Sequence, residues 1–352
     1  MTKHVVLSLL LLVALSRPAA AVDGVAFELQ IRQADQTDNS TESTLLLQDT
    51  VTVLQGVSAT GFFINVSLDI DVTAIDSTHA TFLLHAVTFD PRPDNISRQF
   101  RAEFGVPVRL NELRGKNDGR MLLLITPLEK ITTDTTGCGY QHQVKGTFRK
   151  DPAAYFDLNY VPQTLADFHW NTIKGVLDER YREFREINRF SLPGKYEIFL
   201  APCRMPSVLW DDRFGTMVDP TRSTIYTLYS HSSNTTDPFV LLHASVYKNY
   251  GYAPPFLAEG FAGYLSFGIF EMKQLLAANP GLTMDSLLET YTYLTADPLL
   301  ADRVASTFCK YLINEYHSEQ FLELYRQADD LNLRESIESV YGKSLSELQA
   351  EW

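Results

Sequence analysis

Cysteine, net basic charge and long apolar runs are all scarce in this chain, and each scarcity narrows what it can be. There are three cysteines in 352 residues, Cys138, Cys203 and Cys309, and their spacing is unlike any zinc ribbon. Lys and Arg number 30 against 43 Asp and Glu, a net charge of −13, so nothing here tracks a phosphate backbone and no nucleic-acid partner is expected. The richest basic stretch, "RYREFREINR", alternates in sign like a solvated helix face. No segment after the N-terminal one keeps the ~18 continuous apolar residues of a membrane span. A G-x-S-x-G elbow, glycine-rich phosphate loops, internal repeats and low-complexity tracts are all missing, and Cys203 has no histidine beside it in sequence. A glycosidase-type acid pair stays open, because its members need only be close in space.

The N-terminus does carry a signal. "MTKHVVLSLLLLVALSRPAAAVDG" has a basic start, an apolar run over Val5–Leu15 and the small residues Ala19, Ala20 and Ala21. This pattern predicts a secretory signal peptide over residues 1–21, with cleavage after Ala21 and a periplasmic or secreted product. In an oxidising compartment one disulfide and one free thiol form one reading of the cysteines, with Cys203–Cys309 the candidate pair; three buried thiols form the other. Asn39, Asn65, Asn95 and Asn234 open N-glycosylation triplets, which matter only in a eukaryotic host.

Length and composition, 45% hydrophobic and 21% charged, allow two ordinary globular domains. "GFFINVSLDIDVTAID" alternates apolar and polar residues, predicting one long half-buried strand with Phe62, Ile64, Val66, Leu68, Ile70 and Val72 on the dry face. "STHATFLLHAVTFD", "FGVPVRLNEL", "RMLLLITPLEK" and "HQVKGTFRK" are further strands between turn clusters. Residues 22–150 are thus expected to form an antiparallel β-sandwich-like domain. His79, His85 and His142 are scattered along it without ligand spacing. Near residue 151 the character changes. Trp170, Ile173, Leu177, Tyr181, Phe184 and Ile187 recur at helical steps, "KYEIFLAP" and "STIYTLYS" read as strands, and the chain is mainly helical from Asp237. The whole is α+β, with a second domain over 151–352.

The chemistry hangs on "FVLLHASVYKNYGYAPPFLAEGFAGYLSF", Phe239 to Phe267. A helix-borne zinc hydrolase needs two histidines at i and i+4, a glutamate beside the first as base, and a third ligand from a following helix. Here those positions hold His243, Tyr247, Ala244 and Glu259. "PFVLLHASVY" resembles the first active-site helix of the gluzincins, the thermolysin-like zinc peptidases of the MA clan. "PPFLAEGFAGYLSF" is similar to their second. "YFDLNY", "KYEIFLAP", "FGTMVDPTRSTIYTL" and the C-terminal "SIESVYGKSLSELQAEW" resemble the strands and closing helices of small peptidase-MA-like domains, so the likeness spans about residues 152–352.

That resemblance implies a zincin fold ending in a helical lobe, with His243 and Glu259 at vestigial zinc-ligand positions. Ala244 cannot take a proton, and Tyr247 would bind a metal only as a phenolate, unfavourable at an ordinary tyrosine pKa of about 10. Two good ligands make a weak zinc site. No cofactor is therefore expected, zinc being the candidate if the site works after all. His243, Tyr247 and Glu259 are read instead as a polar plug, Glu259 lying in the first turn of its helix. His231 and His317 are not at ligand spacing, and Tyr264, one helical turn beyond Glu259, reads as packing rather than a ligand. The leading expectation is an exported, inactive metallopeptidase-like protein that binds or scaffolds peptide or protein segments in its interlobe cleft. The alternatives are an active zinc hydrolase with an atypical site and an envelope adhesive or structural protein acting through the β half.

Overall fold

The computed structural model describes residues 21–34, 43–89, 94–134, 148–188, 195–205, 208–209, 215–230, 238–266 and 283–352. All but the last residue of the expected signal peptide, and Cys138, His142 and His231, lie outside them.

The first half is built from β1 (Ala21–Ala34), β2 (Thr44–Leu54), β3 (Ser58–Phe63), β4 (Val66–Ile75), β5 (His79–Thr88), β6 (Asn95–Glu103), β7 (Val108–Arg114) and β8 (Arg120–Asp134). They form two antiparallel sheets, ordered β2-β1-β8-β7 and β3-β4-β5-β6. Alternation decides which face is dry. Val25, Phe27, Leu29 and Ile31 of β1 share one core with Val66, Leu68, Ile70 and Val72 of β4 and with Phe82 and Leu84 of β5. Phe27 and Phe82 meet edge-on at 5.1 Å between the sheets. This arrangement is compatible with the expected sandwich.

One expectation fails instructively. The stretch from Gly61 is not a single strand, because Ile64 and Asn65 form the two-residue turn of a β3–β4 hairpin in which Phe63 pairs with Val66. Ile64 sits at φ 56°, left-handed backbone that β-branched residues rarely adopt. Antiparallel partners share a face, so the turn reverses the phase of the alternation. Phe62 pairs with Ser67 and Thr60 with Asp69, on the opposite face from Val66 and Leu68. Phe62 therefore leaves the inter-sheet face on which alternation placed it and packs on the other side of the hairpin, where Tyr247 extends the same cluster.

The second half opens with β9 (Arg149–Pro152), β10 (Phe156–Tyr160), α1 (Leu165–Asn188) and β11 (Tyr196–Ala201), followed by β12 (Thr216–Asp219) and β13 (Thr224–Leu228). The sheet order is β12-β13-β11-β10-β9; the three central strands are parallel and both edges antiparallel. The predicted stripe of α1 is buried at Ile173, Leu177 and Tyr181 against Phe156, Leu158 and Tyr160, while Trp170 stacks on Tyr160. Helices α2 (Pro238–Tyr250), α3 (Pro255–Ser266), α4 (Met284–Leu287), α5 (Thr290–Thr295), α6 (Pro298–Tyr316), α7 (Ser318–Gln327), α8 (Leu333–Tyr341) and α9 (Leu345–Glu351) complete it. Their apolar faces converge on Phe256, Phe261, Phe308, Phe321 and Tyr325. The chain is α+β, as composition and pattern require.

The candidate Cys203–Cys309 bridge does not form. Cys309 is a free thiol, fully buried in the helical core, whereas Cys203 is disulfide-bonded to a partner outside the described residues. Neither do the glycosylation triplets stand alike. Asn95 is exposed, but Asn65 is only 1% exposed and closed to a modifying enzyme in the folded chain.

Candidate functional site

The site forms where α2 and α3 meet, joined by the tight turn Gly251–Pro254. The Gly251 N–H donates to the Tyr247 carbonyl as α2 ends, and Pro255 opens α3 with its fixed φ. His243 and Tyr247, four residues apart, share one face of α2. Glu259 reaches that face from α3, and its Oε1 stands 3.2 Å from His243 Nε2. Glu259 is 4% exposed, so its carboxyl group stands inside the fold beside the imidazole. It lies in the second turn of α3, not the first, because the helix begins at Pro255. The helix dipole thus does not account for its position.

Tyr247 occupies the second ligand position of the motif frame. Its ring lies 4.8 Å from the His243 ring, packs edge-on against Phe62 at 5.9 Å and lies tilted against Phe89 at 6.2 Å. Tyr247, Tyr252 and Ala258 belong to the same hydrophobic cluster as the two β-sheets. The site is therefore roofed by the first half of the chain. Ala244, at the base position, is fully buried on the opposite side, where its carbonyl accepts a hydrogen bond from Tyr196 Oη at 3.1 Å. It offers no group to take a proton from water.

Among the described residues no three His, Cys, Asp or Glu side chains converge as metal ligands. A zinc ion would find one imidazole and one carboxyl group standing side by side, and the Tyr247 ring in the third place. The residues present do not fit that ion.

Beside this site the halves are joined by charge. The sequence Asp219-Pro220-Thr221-Arg222 turns the chain from β12 to β13, with Asp219 Oδ1 accepting from the backbone N–H of Thr221 and Arg222. Asp219 Oδ2 accepts from Ser67 Oγ of β4 at 2.8 Å. Arg222 grips Asp69 through both Nη groups, at 2.8 Å for Nη1–Oδ1, and also donates to Thr60 Oγ1. Thr60, Phe62, Ser67 and Asp69 are the face that the hairpin's phase reversal turns outward.

A further titratable cluster lies where the helical lobe meets the β half. Asp330 accepts from Tyr252 Oη at 2.8 Å and from Thr290 Oγ1 at 2.5 Å. Burial pushes its carboxyl up to about 6, against the two hydroxyl bonds, which favour the charged form. Lys116 Nζ donates to the Tyr325 carbonyl and Asn117 donates to the Gln327 carbonyl and to Asp329, tying the β7–β8 connection to the end of α7.

Of the residues singled out in the sequence, His243, Tyr247 and Glu259 come together and Ala244 flanks them. Tyr264 stacks on Phe261, and His317 is exposed between α6 and α7. His79 lies 3.6 Å from Asp76 on β5, away from any ligand set. Phe62, Asp69, Asp219, Arg222 and Asp330 were not anticipated. The Asp-Pro turn signal at Asp219 was legible; the role of the others depends on contacts across the chain.

Comparison with known proteins finds no family model that matches the chain, and no curated protein matches it. Fold and site together define an α+β protein in which a half-buried imidazole, His243, stands beside a buried carboxyl, Glu259, at the seam between a two-sheet half and a helical lobe.

Proposed function

We propose that the chain is an exported, non-catalytic member of the gluzincin-like peptidases, retaining their frame and acting by binding or scaffolding peptide or protein segments. The observation that carries this reading is Tyr247. Its ring stands where the motif frame calls for a second imidazole, and it is sealed between His243, Phe62 and Phe89. Further support comes from the juxtaposition of His243 and Glu259 across two helices, and from a mixed sheet with an antiparallel strand, β12, at its edge. The disulfide at Cys203 suits an oxidising compartment. No helix of the described residues is long and apolar enough to cross a membrane.

Binding without turnover is tested by incubating the purified protein with a peptide library, with and without added zinc and chelator. Peptides retained intact, with no cleavage in either condition, support the proposal. Chelator-sensitive cleavage that His243→Ala abolishes overturns it.

A further inference from the structure

Asp330 lies in the connection between α7 and α8, where three parts of the molecule meet. From the helical lobe, Thr290 at the start of α5 donates its Oγ1 to the Asp330 carboxyl at 2.5 Å. From the α2–α3 turn, Tyr252 Oη donates to the same carboxyl, 2.9 and 2.8 Å from its two oxygens. From the β half, the β7–β8 connection docks on the same stretch. There Lys116 Nζ donates to the Tyr325 carbonyl, and Asn117 Nδ2 to the Gln327 carbonyl and to Asp329. The Tyr252 ring is buried in the cluster of the two sheets, so its hydroxyl reaches the lobe from the β half's own core.

Both partners of Asp330 are neutral hydroxyls, and among the described residues no cation pairs with it. The charged and titratable groups facing it are Tyr252 of the turn, Asp329 beside it, Lys116 of the β7–β8 connection and Tyr325 of α7, over whose ring Lys116 sits. Glu289, next to Thr290, is exposed and accepts from Thr292 instead. Asp329 opposes a charge on Asp330, and Lys116 and the two hydroxyls favour one. Burial outweighs them, which is why the carboxyl titrates near 6. Asp330 keeps some exposure, so a proton can come and go. The α7–α8 connection is also folded in its own right. Asp329 Oδ1 accepts from the N–H of Leu331 and Asn332, and Asn332 Oδ1 accepts from the N–H of Asp329. Leu331 and Asn117 are exposed, so both connections lie at the rim of the seam, outside any strand pairing or helix core.

We propose that Asp330 is a proton-operated clasp at this rim. Neutral, it stays seated on Tyr252 and Thr290 and keeps the α7–α8 connection against Lys116 and Asn117; ionised, it turns to water and the two connections part. Strands β7 and β8, helices α7 and α8 and the Tyr252 ring keep their places. Once in water Asp330 regains an ordinary carboxyl pKa, so parting becomes easier as pH rises from about 4 through 6 and levels off beyond. Contact between the halves at this rim thus follows the acidity of the surroundings. Nothing in the clasp depends on the gluzincin likeness.

The test is hydrogen exchange of the full chain with peptide resolution, comparing wild type with Asp330→Asn at about pH 4 and again at about pH 7.5. Asparagine keeps the shape and does not ionise. In peptides covering Lys116–Gly119 and Ala328–Leu333 the two proteins are expected to differ by no more than about threefold at the lower pH. At the higher pH wild type is expected to exchange at least about tenfold faster there, within the roughly hundredfold that a shift of about two pKa units allows. Both connections are expected to exchange ahead of α6, which opens only with the whole fold. Tyr252→Phe removes one seating bond and is expected to raise exchange in the same peptides at both pH values. Equal exchange of wild type and Asp330→Asn at the higher pH overturns the clasp, as do connections that exchange only in step with α6. If Asp330→Asn fails to fold, wild type alone decides: protection of the two connections, corrected for intrinsic rates, must fall between the lower and the higher pH, and unchanged protection overturns the clasp. Either result leaves the zinc and peptide tests of the preceding section untouched.

Discussion

The helical lobe and the seam above α2 are both buried, yet they are built by opposite means. In the lobe, Phe256 meets Phe308 and Phe261 meets Phe321 among aliphatic side chains, and Tyr293 is paired with Asp302, although the Tyr341 hydroxyl is buried without a hydrogen bond. At the seam, Asp219 and Glu259 are buried carboxyl groups, Asn65 is a buried amide without a partner, and Arg222 straddles the boundary. Apolar packing gives the lobe one arrangement. Charge pairing gives the seam an arrangement that depends on each partner staying in place. A site once armed for chemistry, on the proposed reading, needs no such cover; one reduced to an imidazole–carboxylate pair can be roofed by its own chain.

Substitutions should separate the two regions by size and by kind. The largest loss is expected in the lobe, where Phe308 is fully buried: Phe308→Ala should cost about 4 kcal/mol, seen as a lower chemical-denaturation midpoint. At the seam Asp219→Ala should cost about 2–3 kcal/mol by leaving Ser67 and the turn N–H groups without their acceptor. If instead Asp219→Ala is neutral, the seam is not held by charge and the contrast collapses.

Asp330 sharpens the comparison through pH. Its folded-state pKa of about 6 stands above the ordinary 3.8, so the folded protein binds the proton more readily than the unfolded chain. Its contribution is fully present below about pH 4 and is lost as pH rises through 6. The change is on the order of 2–3 kcal/mol across that window, and Asp330→Asn should flatten it. Stability curves of wild type and variant at several pH values check this, and a window unaltered in the variant refutes it. The smallest effect belongs to the surface: Arg98→Ala, which breaks an exposed pair with Glu112, should change stability by less than about 1 kcal/mol.

Local periodicity made part of this fold legible. The stripe of α1, the strand at Tyr196 and the helix pair around His243 and Glu259 follow from spacing, and the structure forms each of them. The alternation of Val25, Phe27, Leu29 and Ile31 was equally clear, and β1 could have been read from it. β6 could not, since an edge strand of mostly exposed polar residues has no dry face to mark it. The hairpin was hidden for a subtler reason. Ile64-Asn65 carries neither glycine nor an Asn-Gly pair, so unbroken alternation passed through a turn and assigned Phe62 to the wrong face. That one phase error concealed the roof of the site. His243, Tyr247 and Glu259 were found because a helix motif fixes them; Phe62, Asp69 and Arg222 were not, because only tertiary contact brings them there.

The central claim is that the helix pair keeps the frame of a zinc site without its chemistry. Elemental analysis of the purified protein, after zinc supplementation and removal of loosely bound ions, tests it most directly. The account predicts well under one zinc per chain, unchanged in His243→Ala. One zinc per chain, lost in His243→Ala, would contradict it.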